Sequence, residues 1–300
     1  MRTDGPDFIG IGMPKAGTGW LYDQLSAHPD FWMPPVKELV YLSQKRPKLQ
    51  FVDEAGRARA PRDEKDGTKR KKRRDRSQRD RLIQKTALTS RDEAFLEYAA
   101  CCQGKARDLE SYAGFFGFKG TKLSGDITPP YCNLTEEVIR QVGERFPSTK
   151  IVLLLRDPVA RAWSRICMSH EAGHFDTELL QDAHAFRSYV EDMPKLRVRA
   201  TDTFGRWRSA APHLPFRYFF FEDLVERPEE LRDEILQFLG ADPGKKGRQV
   251  PADYNRKAGP RLDVPPVAKG VLVECFRQEL KDCAEMFGGR ASAWPAAYGA

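Results

Sequence analysis

The sequence predicts an α/β fold, in which a central parallel sheet flanked by helices forms a single domain over residues 1–300. Three short apolar runs support this prediction, at Phe8–Ile11, Ile151–Leu155 and Arg217–Phe221, and sequence typical of helices follows each one. Such runs are typical of strands that are buried on both faces of a parallel sheet. A chain of 300 residues is long enough to bury a full core around that sheet.

The composition is that of an ordinary globular protein, with 40% hydrophobic residues and no apolar run long enough to cross a membrane. The amino-terminal stretch lacks the apolar core of a signal peptide, so we expect a cytoplasmic protein. The six cysteines form no Cys-x-x-Cys pair, and we expect reduced thiols and no zinc site.

The positive charge of the chain is concentrated in one segment. Residues 55–85 carry fourteen Lys and Arg against five Asp and Glu, a net charge of +9, whereas the whole chain has +7. The remainder is therefore slightly acidic, and we expect no specific nucleic-acid partner. We interpret residues 43–85 as a basic insertion: a solvated mobile segment, a lid, or an arm that recruits an anionic substrate, a membrane surface or nucleic acid.

The first apolar run leads into a loop, Gly-Met-Pro-Lys-Ala-Gly-Thr-Gly at residues 12–19, and then a helix, a P-loop-like arrangement that predicts a phosphate site. Glycines let backbone N–H groups approach an anion, and the helix N-terminus adds partial positive charge. That dipole contributes only about 0.3–1 kcal/mol, so the ammonium group of Lys15 must supply much of the affinity. The Walker A motif places its Lys directly after the last Gly, unlike this loop, and an ordinary tight turn is the alternative.

The second anchor of the predicted site is Arg156, at the carboxyl end of the run Ile151–Leu155, where ligands bind in open α/β sheets. Asp157 and Pro158 are of the types preferred at the N-cap and first position of a helix. On that helix Ser164 can converge with Arg156 on one phosphate, for which Arg provides a bidentate fork. The alternative is a salt bridge between Arg156 and a nearby carboxylate.

Capping residues, prolines and hydrophobic periodicity predict the other elements. A short strand is expected at Phe31–Met33, and a strand followed by a loop at Gly120–Tyr131. Helices are expected at residues 90–102, 108–116, 135–141, 176–212, 228–239 and 267–287.

Both phosphate sites resemble those of one enzyme family. Pro14–Trp20 is similar to the 5′-phosphosulfate loop of sulfotransferases that use 3′-phosphoadenosine 5′-phosphosulfate (PAPS), such as the heparan sulfate and cytosolic enzymes. Arg-Asp-Pro-x-x-Arg-Ala-x-Ser, from Arg156 to Ser164, resembles their 3′-phosphate motif. The resemblance implies sulfuryl transfer from PAPS to a hydroxyl or amine acceptor, with release of 3′-phosphoadenosine 5′-phosphate (PAP) and without a metal.

The resemblance also assigns roles to the loop. It implies that the phosphosulfate is held by Lys15, Ala16, Gly17, Thr18 and Gly19. Lys15 would also stabilise the charge that develops on the leaving PAP. The family pattern has hydroxyl side chains at the positions of Ala16 and Gly19, which this chain lacks.

On the acceptor side, the resemblance implies that Glu38 is the general base; a surface ion pair with Lys37 is the alternative. Leu39 replaces a Pro of the family pattern. The segment Gly-Asp-Ile-Thr-Pro-x-Tyr resembles one that lines the acceptor cleft, so Asp126 or Thr128 is expected to touch substrate. Asp126 alternatively caps a turn.

Four further residues are assigned to the nucleotide by the same resemblance. Trp20 and Phe221 are expected beside the adenine, and Phe221 stands where the family has Tyr. Arg256 and Lys257 fall where the family has a late phosphate loop, which makes them candidates for the 3′-phosphate.

The sequence therefore predicts a sulfotransferase that acts on a small-molecule, glycan or lipid acceptor. His170 is a candidate acceptor-side residue; its i,i+4 spacing from His174 suits a metal pair, but no third ligand is evident and we expect no metal. The alternatives are a P-loop kinase or NTPase that uses ATP, and a polyanion-binding protein that acts through the basic insertion. The oligomeric state is left open.

Overall fold

A parallel four-stranded sheet lies at the centre of the computed structural model, which describes residues 5–43, 51–52, 58–59, 88–102, 108–248, 250–252 and 262–299. The strands are β1 (Phe8–Gly10), β2 (Phe51–Val52), β3 (Ala58–Arg59), β4 (Gly125–Ile127), β5 (Lys150–Leu155) and β6 (Phe216–Phe220). The central sheet has the order β4-β1-β5-β6, and β2 pairs with β3 in a separate antiparallel ribbon.

The strand register brings two strand ends together. Phe8 of β1 lies opposite Gly125 of β4 on one side and Lys150 of β5 on the other. After β1 the chain continues to β4, whereas after β5 it continues to β6 on the opposite side. The winding direction therefore reverses between β1 and β5, and ligands of open α/β sheets bind outside the carboxyl ends of strands at such a switch point.

Helices cover the sheet. In chain order they are α1 (Thr18–Ala27), α2 (Ser90–Cys101), α3 (Leu109–Gly114), α4 (Glu136–Arg145), α5 (Pro158–Glu171), α6 (Ala183–Asp192), α7 (Ala200–Ala210), α8 (Phe221–Glu226), α9 (Pro228–Leu239) and α10 (Pro266–Phe287). Single 3₁₀ turns occupy Tyr41–Ser43, Gly117–Lys119, Pro129–Asn133, Thr177–Gln181, Gly289–Ala293 and Ala296–Tyr298. No helix in the described part of the chain is long and apolar enough to span a membrane.

The core is built around β5, whose aliphatic residues Ile151–Leu155 are buried throughout. Burying each such side chain stabilises the fold by about 1.5–3 kcal/mol, which explains why this run has no polar alternation. A cluster of aromatic rings packs beside the sheet, where Tyr41 stacks on Tyr112 with centroids 5.8 Å apart and meets the edge of Phe115 at 5.2 Å. The result is the single α/β domain that the sequence predicts.

The helix starts follow the capping residues. Asp157 caps α5 by accepting from the backbone N–H groups of Val159 (2.8 Å) and Ala160 (3.1 Å). Thr135 caps α4 in the same way. The helix expected from residue 90 begins after a capping box in which Thr89 and Asp92 exchange hydrogen bonds. Each cap contributes roughly 0.5–2 kcal/mol.

Three expectations differ from the structure. Phe31–Met33 is not a strand: it makes one isolated bridge, between Phe31 and Leu123, and the prolines that follow lack N–H donors. Residues 176–212 are not one helix, because Asp182 caps α6, and Pro194 lies in the break before α7. Phe221 begins α8 rather than ending β6. Most of the predicted basic insertion, including its Lys-Arg run, lies outside the described residues.

Candidate active site

The loops that follow β1 and β5 meet at the switch point. The guanidinium of Arg156, directly after β5, donates through Nη1 to the carbonyl oxygen of Lys15, at a distance of 2.8 Å. The sheet ladder continues into the first loop, since Met13 N donates to the Leu154 carbonyl at 2.7 Å. The two segments predicted to bind phosphate groups are thus held side by side.

The loop after β1 forms a cradle of backbone donors. Gly17 is the N-cap of α1 with φ 96°, and no side chain caps this helix start. The first intrahelical bond runs from Leu21 N to the Gly17 carbonyl, so the N–H groups of Thr18, Gly19 and Trp20 have no partner within the helix. An uncapped first turn beside a strand end is an anion site with partial positive charge.

The ammonium group of Lys15 lies against α5. Its Nζ donates to the sulfur of Met168 at 3.5 Å, and Lys15 itself has a left-handed backbone with φ 70°. Ser164 precedes Met168 by four residues, so the two lie on the same face of α5. Ser164 is half-buried. The Lys15 ammonium therefore lies on the face of α5 that carries Ser164.

Phe221 packs against both loops. The Arg156 guanidinium lies over its ring, 4.2 Å from the centroid, and a Cβ built on Gly17 would lie 3.5 Å from its Cδ2. An adenine that stacks on Phe221 would have to use the other face of the ring. Trp20 is buried, and its indole N–H has no hydrogen-bond partner among the described residues.

Two aromatic residues near the carboxyl terminus support this region, and the sequence did not predict them. Tyr298 donates its hydroxyl to Asp157 at 2.8 Å, and Trp294 donates its indole N–H to Glu222 at 3.1 Å. Burial raises the pKa of both the Asp157 and the Glu222 carboxyl. These contacts join positions 141 and 72 residues apart, which no local pattern reveals.

The Lys37–Glu38 pair lies near the first turn of α1. The two side chains form an ion pair at 3.5 Å, and the Glu38 backbone has a left-handed φ of 63°. A Cβ built on Gly19 would lie 3.5 Å from the Lys37 ammonium nitrogen. The sequence indicates Lys37 only as a possible ion-pair partner of Glu38. Its ammonium lies beside the cradle, where it adds a second cation to that of Lys15.

Asp126 and Thr128, expected to touch an acceptor, are buried, with exposed fractions of 2% and 0%. Both side chains bond within the chain, to each other and to the segment that carries Glu38. Burial raises the pKa of the Asp126 carboxyl to about 6, although its hydrogen bonds oppose that rise. Contact with an acceptor therefore stays a prediction that their position does not favour.

The remaining predicted residues lie apart or outside the described chain. His170 is exposed in the last turn of α5, and His174 follows the end of that helix. Within the described ranges, no group of three or more His, Cys, Asp or Glu residues is arranged to hold a metal ion. Arg256 and Lys257 fall outside the described residues, so their assignment is untested.

The parallel sheet, the uncapped helix start and the paired strand-end loops define an α/β protein with a candidate anion site at its switch point. A profile described as the sulfotransferase family matches residues 6–243, and the chain belongs to that family. It is an enzyme that transfers sulfuryl groups. A search of curated protein sequences found no significant match.

One solved structure shows the same fold. A sulfotransferase from Alicyclobacillus acidocaldarius superimposes with a TM-score of 0.60 at 19% identity, over 96% of this chain and 98% of that chain. The sulfotransferase domain of the Synechococcus PCC 7002 olefin synthase matches with a TM-score of 0.44 at 16% identity, over 92% and 96% of the two chains.

Proposed function

We propose that this sulfotransferase takes its sulfuryl group from PAPS and binds that donor between the cradle after β1 and Arg156 after β5. One observation supports the proposal: the Arg156–Lys15 hydrogen bond at 2.8 Å, which joins the two segments that we propose to bind anions. PAPS carries anionic groups at both its 3′ and 5′ positions, so it requires two such segments. When bound, PAPS supplies the sulfuryl group and PAP as the leaving group.

The donor set fits that molecule. The cradle offers backbone N–H groups of Thr18 and Gly19 and the ammonium of Lys15, and none of these needs a metal to bind a phosphate. A side chain at Gly17 would collide with Leu224, at 2.5 Å, so only a glycine leaves the cradle in this shape. We assign the 3′-phosphate to Arg156 and Ser164, because guanidinium geometry suits a phosphate.

Glu38 is proposed as the general base that accepts the proton of the acceptor hydroxyl or amine. It is the exposed member of the Lys37–Glu38 pair, with 40% of its side chain accessible, so an acceptor can reach it. A positioned base contributes roughly 10²–10⁴-fold to the rate. Sulfotransferase acceptors are small molecules or glycans, and a lipid acceptor and a cytoplasmic location stay predictions from the sequence.

The kinase alternative has no support beyond the shared fold. Its ATP lacks the 3′-phosphate that Arg156 and Ser164 are proposed to bind. The polyanion-binding alternative depends on the basic insertion, most of which lies outside the described residues.

Calorimetric titration with PAP and with ADP, both without Mg²⁺, tests the proposal. We expect PAP to bind more tightly than ADP, and Arg156→Ala to remove that preference. Arg140→Ala, which deletes an exposed guanidinium of α4 paired with Glu137, is the matched control and should bind PAP as the wild type does. Equal binding of ADP and PAP by the wild type, or binding that requires Mg²⁺, would refute the proposed donor.

A further inference from the structure

A buried carboxylate collects the hydrogen bonds of the segment that carries Glu38. Leu39 N donates directly to Asp126 Oδ1 at 3.4 Å. Val40 N donates to the Thr128 hydroxyl at 3.4 Å, and that hydroxyl donates on to Asp126 Oδ1 at 2.6 Å. Backbone groups of a loop are thereby satisfied inside the protein, where an unpaired N–H would be costly.

A second relay reaches the other carboxylate oxygen. Leu42 N donates to the Tyr131 hydroxyl at 3.1 Å, and Tyr131 donates to Asp126 Oδ2 at 2.7 Å. Tyr112 donates to the same oxygen at 3.2 Å but does not bond to the Glu38 segment. Because the Thr128 and Tyr131 hydroxyls donate their protons to Asp126, their oxygens are left to accept from the Val40 and Leu42 amides.

The segment held in this way is strained. Glu38 and Val40 both have left-handed backbones, with φ values of 63° and 56°, although neither is a glycine. Val40 is β-branched, and such residues adopt this region only when the surroundings enforce it. Strained residues of this kind cluster at functional sites.

Hydrogen bonds rather than an ion pair surround this carboxylate in the described part of the chain. Among the described residues, no Lys or Arg bonds to Asp126, whose partners are hydroxyls and the Leu39 amide. The titratable groups in contact with it are Tyr112 and Tyr131, and burial holds the pKa of each well above 10. A carboxylate buried without an ion pair is costly, which indicates that the network serves a purpose beyond packing.

We propose that Asp126 is the positioning residue of the acceptor side: it holds Glu38 beside the donor cradle through the backbone amides of Leu39, Val40 and Leu42. The role differs from direct contact with substrate, and its catalytic meaning rests on the proposed role of Glu38. Because the relays are separate, each amide of the segment has its own partner that a single substitution can remove.

Amide hydrogen exchange followed by two-dimensional NMR tests this relay by relay. Thr128→Val should lower the protection of the Val40 amide, and Tyr131→Phe that of Leu42, each by roughly tenfold, the loss expected for one buried hydrogen bond. Asp126→Ala should expose all three amides. Tyr112→Phe removes a donor to the same carboxylate and should leave the segment protected, which makes it the matched control.

The conservative variant separates positioning from bulk stability. Asp126→Asn keeps an oxygen for Leu39 and Thr128 and should restore the protection that Asp126→Ala loses at the Leu39 and Val40 amides. The Leu154 amide, bonded to the Gly12 carbonyl at 2.9 Å beside the cradle, should stay protected in Thr128→Val and Tyr131→Phe. If these two variants instead lose amide protection uniformly across the core, the network contributes only to overall stability, and the proposal is overturned.

Titration with PAP shows whether a failed prediction concerns the positioning role of Asp126 or the proposed PAPS donor. Thr128→Val and Tyr131→Phe should bind PAP as the wild type does, since the network lies on the acceptor side. Loss of PAP affinity in these variants would assign the network to the cradle and refute the positioning role. A wild type that fails to bind PAP would refute the donor, while the exchange pattern would still decide whether Asp126 holds the segment.

Discussion

Replacing Gly17 by Ala tests the claim that the cradle depends on one backbone conformation. Gly17 has φ 96°, a value that side chains of L-residues rarely adopt, and it ends the loop as the N-cap of α1. A Cβ at this position would lie 2.5 Å from Leu224 Cδ1, well inside van der Waals contact. The substitution therefore strains both the backbone and the packing of α8 against the loop.

The magnitude follows from these two effects. The left-handed conformation costs a non-glycine residue about 1–2 kcal/mol. Leu224 is half-buried, and moving its side chain off its rotamer costs about 0.5–1.5 kcal/mol more. We expect the free energy of unfolding to fall by about 1.5–3.5 kcal/mol. We expect the PAP affinity to fall by at least about tenfold, because the N–H groups of Thr18 and Gly19 turn away.

Urea unfolding followed by circular dichroism, together with calorimetric titration of PAP, measures both effects. Gly205→Ala is the control, because Gly205 lies inside α7 and a Cβ there would meet nothing within 4 Å. That variant should gain roughly 0.5–1 kcal/mol, as helix interiors prefer Ala to Gly, and should bind PAP normally. A Gly17→Ala protein that unfolds at the wild-type urea midpoint and binds PAP as the wild type does would refute the reasoning.

Three further predictions concern other residues. Lys37→Gln should lower the calorimetric affinity for PAP roughly tenfold, because the Lys37 ammonium lies beside the first turn of α1. The affinity for adenosine 3′-phosphate should not change, and an equal loss of affinity for both ligands would contradict this prediction. Glu279 is 4% exposed and accepts hydrogen bonds from Arg199 and from the first amides of α7. Glu279→Gln should therefore lower the free energy of unfolding in urea by about 2–3 kcal/mol. Glu274→Gln, which removes an exposed ion pair, should lower it by under about 0.5 kcal/mol. The folded pKa of Asp126, about 6, lies above its ordinary 3.8, so the native state binds the extra proton. The stability of the wild type relative to Asp126→Asn should therefore fall as pH rises from about 4 to about 6, and a flat difference across that window would contradict the burial of this carboxyl.

The meeting of the two loops on the proposed donor side could be predicted because the signals for each loop are local. An apolar run, a Gly-rich loop and a helix start lie within a few residues of one another after β1, and the same holds for β5, Arg156 and the Asp157 cap. Parallel strands place their carboxyl ends at one edge of the sheet, so two local patterns were enough to bring Lys15 and Arg156 together.

The acceptor side could not be predicted in the same way, because its contacts are long-range. The hydrogen bond from Leu39 to Asp126 joins residues 87 positions apart, and a polar residue in a short strand gives no sign of such a partner. The resemblance to a family segment that lines the acceptor cleft therefore led to the prediction that Asp126 or Thr128 touches substrate. Tyr112 and Tyr131 are buried beside them and donate hydrogen bonds to Asp126.

The departures from the family pattern gain a physical interpretation from this geometry. Gly19 lacks the hydroxyl of the family loop, and the Lys37 ammonium lies 3.5 Å from the position where a Cβ of residue 19 would stand. A threonine there would extend its side chain towards that ammonium and compete for the same space. The chain thus has a cation from the acceptor segment beside the cradle where the family pattern has a hydroxyl. Because a side chain at residue 19 and the Lys37 ammonium would share this space, Gly19→Thr and Lys37→Gln should affect PAP affinity non-additively.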